Sequence, residues 1–202
     1  ESNVYLIPGL VAFILVVTAV VSASLSLVRE KELGTMEQLV ASPLGAVDIV
    51  VGKTVPYMVL SIVVAGFVFG ASVGIFGIEI AGSVPLLIAT TLLFLIACLG
   101  LGIMISTISD TQQVAFLIST LSTLLPSFLL SGFVFPIENM PPVVRAFTYL
   151  VPARYYLSAL RAVILRGSGA GAFWQELVAL GVFTIVMLTV SVVALRRVRH
   201  SI

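Results

Sequence analysis

Residues 84–105 read VPLLIATTLLFLIACLGLGIMI, a run without one charged side chain. Coiled as an α-helix at about 1.5 Å per residue it reaches roughly 33 Å, enough to cross the ~30 Å hydrocarbon layer of a bilayer. Comparable uncharged stretches occupy 5–28, 55–76, 114–135 and 177–195. Strands fit these runs poorly, because each is continuously apolar and lacks the alternation of lipid-facing and lumen-facing positions that a membrane barrel requires. The expected fold class is therefore all-α: an integral membrane protein of about five transmembrane helices.

Composition agrees. Of 202 residues, 60% are hydrophobic and 9% charged, and the mean hydropathy is +1.24, whereas a soluble domain carries about 25% charged residues. A net charge of +1 gives no basis for a nucleic-acid partner. Cys98, the only cysteine, lies inside an apolar run; one thiol forms neither an internal disulfide nor a cysteine-based metal site, so it reads as a small packing residue. The chain opens on Glu1, and its first run is too long for a signal-peptide core and has no basic leader. It is expected to be a true span of a chain whose N-terminal part is missing.

Lys and Arg near span ends set the expected orientation. Arg196, Arg197 and Arg199 follow the last span, and five crossings put the loop 29–54, with Arg29, Lys31 and Lys53, on the same cytoplasmic side. Glu37, Asp110 and His200 then lie inside, while Glu1, Glu79 and Glu138 lie outside. Arg145, Arg154, Arg161 and Arg166 in the long outer segment 136–172 oppose this assignment, but long loops weigh less in the rule. Within that segment Pro141 and Pro142 can open a short helix, and Ala153 to Arg166 forms another, stopped by Gly167. Leu157, Leu160 and Ile164 share one face, and Arg154, Ser158 and Arg161 the other. With Phe147, Tyr149, Tyr155, Tyr156, Phe173 and Trp174 nearby, these read as re-entrant or interfacial helices at the outer headgroup level.

Charge is absent from the interior of every span. An Asp, Lys or Arg at the bilayer centre costs about 2.5–3.5 kcal/mol on insertion scales, and membrane proteins keep such residues mainly to move ions or protons. Proton coupling, voltage sensing and a charged selectivity ring thus lack their usual machinery. Catalysis fares no better: His200 stands alone, and one imidazole assembles neither a metal site nor a triad. Gly52, Lys53 and Thr54 resemble the end of a phosphate-binding loop, but Val47 occupies the position where its first glycine belongs. No catalytic and no metal-ligating residue is assigned.

Two small-residue patterns remain. Gly66, Gly70 and Gly74 recur every four residues, a flat strip on which another helix can pack closely. Ser119, Thr123, Ser127 and Ser131 recur likewise, beside Ser122 and Pro126. They are either a weakly polar lining of a substrate path or, the favoured reading, hydroxyls satisfying backbone and helix contacts near the proline.

The loop between the first two spans reads REKELGTMEQLVASPL over 29–44. Thr35 and Gln38 have the spacing of a capping box, and Pro43 ends the short helix that follows. Leu33, Met36 and Val40 are expected on one side of it, with Glu37 and Gln38 on the other. Alone, this could be a turn that merely joins two spans. Together with FLLSGFVFPIENMPP at 128–142 and LVPARYYLSALRAVILRG at 150–167, it resembles the membrane subunits of type-2 ATP-binding-cassette (ABC) exporters, including bacterial multidrug-export permeases. Members of that family typically have six spans, often with a large outer domain after the first, and the resemblance implies that this chain is expected to begin at the second.

The resemblance implies that Glu32, Leu33, Gly34, Thr35, Met36, Glu37, Gln38, Leu39 and Val40 form a coupling helix docking on a separate ATPase subunit. ATP and Mg would bind to that partner, with no cofactor in this chain. Two permease copies, alike or different, would pair in a bacterial or archaeal cytoplasmic (inner) membrane, with the C-terminus cytoplasmic. Against this stand a channel or secondary transporter, which the uncharged spans disfavour, and a non-transporting scaffold.

Overall fold

The computed structural model describes residues 2–78, 80–135 and 137–201, and their side chains except at 2–5, 39–41 and 198–201. The expectations for Glu1 and Glu79, and for the side chains of Leu39, Val40, Arg199 and His200, lie outside the described residues. Among the described residues eight α-helices follow one another: α1 (Ser2–Glu32), α2 (Met36–Ala41), α3 (Ala46–Gly74), α4 (Val84–Ile108), α5 (Gln112–Leu130), α6 (Pro142–Thr148), α7 (Pro152–Arg166) and α8 (Trp174–Ser201). Single 3₁₀ turns precede α6 and α8. No strand occurs among the described residues, and α1, α3, α4, α5 and α8 are each long and apolar enough to cross a membrane.

Helix ends and hydropathy edges differ. The helix α3 starts at Ala46, well before the apolar run at Val55, because Asp48 accepts a hydrogen bond from the Gly45 amide at 2.8 Å and caps the helix. Charge ends a membrane-buried stretch but does not end a helix, so most of 29–54 is helical and only the residues flanking α2 are loop. At the other extreme α5 stops at Leu130, and 131–135 turn through Gly132 at φ +83°.

Burial sorts the five long helices. In α1 and α4, 61% of the most apolar window is buried, against 17–22% in α3, α5 and α8, so α1 and α4 are the interior pair and the others flank them. Their contact is close because it is small. A Cβ on Gly102 would stand 2.6 Å from the Ala23 Cβ and 2.7 Å from the Val20 carbonyl oxygen. Apolar helices in lipid gain nothing from leaving water, so association rests on such close van der Waals packing and on interhelical hydrogen bonds. Ser106 Oγ accepts from the Leu27 and Val28 amides at 2.9 and 3.0 Å, and Ser191 Oγ donates to the Gly100 carbonyl at 2.8 Å. By contrast, a Cβ on Gly66, Gly70 or Gly74 would meet nothing within 4 Å. That strip faces away from the bundle and packs no helix among the described residues.

The helix α7 is amphipathic in the manner the sequence indicates. Tyr156, Leu157, Leu160 and Ile164 are buried; Arg154 and Arg161 are half-buried and Ser158 exposed. At roughly 22 Å it is too short to span. It wedges instead against α1, α4 and α8. There the Tyr156 ring stacks on Phe94 at 4.0 Å between centroids, and its hydroxyl meets Thr91 Oγ1 at 2.9 Å. The α3–α4 link reaches the same end of the bundle, where the Ala81 amide donates to the Ile164 carbonyl.

Candidate functional site

At the opposite end, α1 closes in a Schellman motif. The Thr35 amide donates to the Glu30 carbonyl at 3.0 Å and the Gly34 amide to that of Lys31 at 3.2 Å. Gly34 takes φ +70°, a left-handed conformation that costs glycine little. The reversal sends the chain straight into α2. It also removes the expected capping box. Thr35 is right-handed helical (φ −88°, ψ −4°), not extended as an N-cap must be, and its hydroxyl turns back to the Glu30 carboxylate and carbonyl. After α2, Ser42 is extended, as a residue before proline prefers.

Three consecutive charged residues brace this corner. Successive side chains on a helix diverge by about 100°, so neighbours in sequence address different partners. Glu30 pairs with Lys53 of α3 at 2.6 Å. Lys31 Nζ donates to the Thr107 and Ser109 carbonyls at the end of α4, at 2.7 and 2.8 Å. Glu32 accepts from the Gln112 amide, at 2.7 Å, and from its side chain, at the start of α5. One turn of α1 thus holds α3 about two turns in from its start, the end of α4 and the start of α5. The sequence displayed the signal, alternating charges at a span end, but not the partners.

The helix α2 hangs from this brace. Met36 and Leu33 do not share a face: Met36 is 5% exposed and turned inward, whereas Leu33, in the turn before α2, is 65% exposed. Glu37 and Gln38 are exposed as well. Behind α2 opens a cavity of about 980 Å³, lined among others by Lys31, Met36, Glu37, Ile108 and Arg197. The basic end of α8 therefore lies at the same end as Lys31.

Other sequence candidates are distributed elsewhere. Ser119, Thr123, Ser127 and Ser131 are all buried along α5 and at its end. Ser119 Oγ lies 3.1 Å from Ser24 Oγ of α1, and Thr123 and Ser131 donate to carbonyls one turn back. Gly52, Lys53 and Thr54 sit within helix α3, where Thr54 Oγ1 donates to the Val50 carbonyl, so no phosphate-cradling loop exists there. No group of three or more His, Cys, Asp or Glu side chains among the described residues could hold a metal ion.

The ABC-2 type transporter family matches residues 1–165. The chain is 38% identical over 167 residues to the probable multidrug ABC transporter permease YbhS of Escherichia coli (strain K12), covering 83% of this chain and 44% of that protein. It is 33% identical over 180 residues to the probable multidrug ABC transporter permease YbhR of the same organism, 89% of this chain and 49% of that protein. A more distant similarity, 27% over 165 residues, links 82% of this chain to 22% of ABC transporter G family member 20 of Dictyostelium discoideum. The chain spans about half the length of the bacterial relatives it matches.

Proposed function

The chain belongs to the ABC-2 type transporter family, and on that premise we propose that it is the permease subunit of an ATP-driven exporter. It moves an amphipathic, drug-like or lipid-linked substrate outward. A separate ATP-binding-cassette subunit binds ATP and Mg and supplies the energy. Catalysis of hydrolysis is assigned to that partner and not to this chain. Two permease copies pair to enclose the path, in a bacterial or archaeal cytoplasmic (inner) membrane with the basic C-terminus and α2 on the cytoplasmic side.

The observation that carries this reading is the brace around α2. A lever transmits force only if it is rigid and offers a free surface. Glu30, Lys31 and Glu32 tie the root of α2 to α3, α4 and α5, while Leu33, Glu37 and Gln38 are left exposed for a partner. Motion imposed on α2 would thereby reach four spans at once. The buried hydroxyl stripe Ser119, Thr123, Ser127 and Ser131 is assigned to α5 packing and not to a substrate-contacting surface.

The test is affinity purification of the full-length permease in mild detergent, with identification of the proteins retained. A co-purifying ATPase whose retention falls when Leu33→Asp and Glu37→Arg are combined supports the assignment. Retention unchanged by those two substitutions refutes the docking role of α2.

A further inference from the structure

We propose that the open cavity at the α7 end of the bundle binds an anionic phosphate headgroup. This site lies at the opposite end from α2 and does not depend on the coupling reading. The cavity measures about 980 Å³ and is walled by the 131–134 turn, the 3₁₀ turn at 137–139, α6, α7 and the start of α8. Pockets of about 300–1,000 Å³ hold organic ligands, whereas an inorganic phosphate would leave most of this volume unfilled.

Its lining carries an excess of positive charge. Arg145 of α6 and Arg154, Arg161 and Arg166 of α7 line it, against Glu138 and Glu176. Two of the guanidinium groups are already held. Arg154 donates to Thr148 Oγ1 and lies 4.0 Å over the Tyr149 ring, and Arg161 Nη1 donates to the Gly132 carbonyl at 3.2 Å. A planar fork fixed in advance loses little freedom when it takes a phosphate through paired N–H bonds. Glu176 is engaged by the Ser158 hydroxyl at 3.1 Å. Arg145 and Arg166 are exposed at the rim and form no ion pair with a described residue. Burial pushes the Tyr155 phenol up, against the pull of Arg154, so it stays a neutral donor, bonded to the Tyr149 carbonyl at 2.9 Å, and adds no negative charge.

The same cavity has apolar walls, with Phe133, Leu157 and Phe173 among them. Phe147 and Trp174 stand exposed close by in sequence, as aromatic residues do at headgroup level. Cations set in apolar walls beside exposed aromatic residues fit an amphiphile better than a small soluble anion.

The test uses the full-length permease, purified in detergent and examined by native mass spectrometry with phosphatidylglycerol, with phosphatidylcholine and with inorganic phosphate. The expected result is a preference for phosphatidylglycerol over phosphatidylcholine of about tenfold, because both lipids carry the phosphate but the choline cation of the second is repelled by the arginines. Arg154→Gln combined with Arg161→Gln should abolish that preference. Because both arginines also brace the segment, Arg145→Glu combined with Arg166→Glu, at exposed positions, provides the second variant and should reduce it comparably. Retention of inorganic phosphate by the wild type and not by the variants, without lipid preference, supports the anion site with a free phosphate as its source. Wild-type phosphatidylglycerol occupancy in both variants overturns the proposal, as does equal occupancy by the two lipids with no retained phosphate.

Discussion

Replacing Lys31 with methionine removes one positive charge while keeping a similar length and apolar stem. The last carbonyls of a helix have no partner within it. In α4 those of Thr107 and Ser109 are taken by the Lys31 ammonium at 2.7 and 2.8 Å, in a half-buried setting. A hydrogen bond to a charged group contributes about 1.5–3 kcal/mol, and a cation at a helix C-terminus about 0.3–1 kcal/mol more. Water can reach part of this corner and replace some of what is lost, so the net cost is set near the bottom of that range, about 2 kcal/mol. For a chain of 150–250 residues that corresponds to a Tm lower by roughly 4–8 °C. Arg29→Met is the control, because Arg29, two residues earlier, is exposed and surface changes stay within about 0.5 kcal/mol. Thermal unfolding of the detergent-solubilised protein, followed by fluorescence-detected size exclusion, should place Lys31→Met well below Arg29→Met. Equal midpoints for the two variants would refute the view that Lys31 fastens α4 to α1.

Glycine positions give a paired prediction: Gly102→Val should sharply reduce membrane abundance, because its Cβ collides with the Val20 carbonyl, whereas Gly66→Ala should leave abundance unchanged. Tyr156→Phe should cost only about 1 kcal/mol, since Thr91 keeps its bond to the Leu87 carbonyl; Tyr156→Ala, which also deletes the Phe94 stack and leaves a cavity, should cost about 3–5 kcal/mol, both read from Tm. Gly34→Ala meets no atom but must hold φ +70°, so a loss of about 1–2 kcal/mol is expected on the same assay.

The five spans were legible because burial in lipid needs only length and lack of charge, both of which are local. So was the amphipathic face of α7, where 3.6-residue spacing alone separates Leu157 and Leu160 from Arg154 and Arg161. Packing partners were not legible. Gly66, Gly70 and Gly74 and the pair Gly100 and Gly102 look equally suited to close approach in sequence, and only the tertiary arrangement turns the first set outward and the second onto α1 and α8. The loop beside α2 failed for a different reason. A Thr-x-x-Gln spacing describes a capping box only if the threonine is extended, and Gly34 instead closes α1 so tightly that Thr35 remains helical. That closure also separates Leu33 from Met36, which spacing alone had placed on one face.

The coupling proposed for α2 and its turn is the passage of energy from an ATPase into the membrane helices. Its most direct test is simultaneous measurement of ATP hydrolysis and substrate efflux in proteoliposomes holding the full-length permease with its ATPase. The exposed Leu33 is changed to Asp in one sample and the exposed Ile108, at the end of α4, in another. An unpaired carboxylate buried at a protein contact loses hydration without gaining a partner. Leu33→Asp should therefore abolish efflux and its stimulation of ATP hydrolysis at normal permease abundance, while Ile108→Asp should retain both. Efflux at the wild-type rate in Leu33→Asp, with the ATPase still bound, would refute coupling through α2 and leave it a connector.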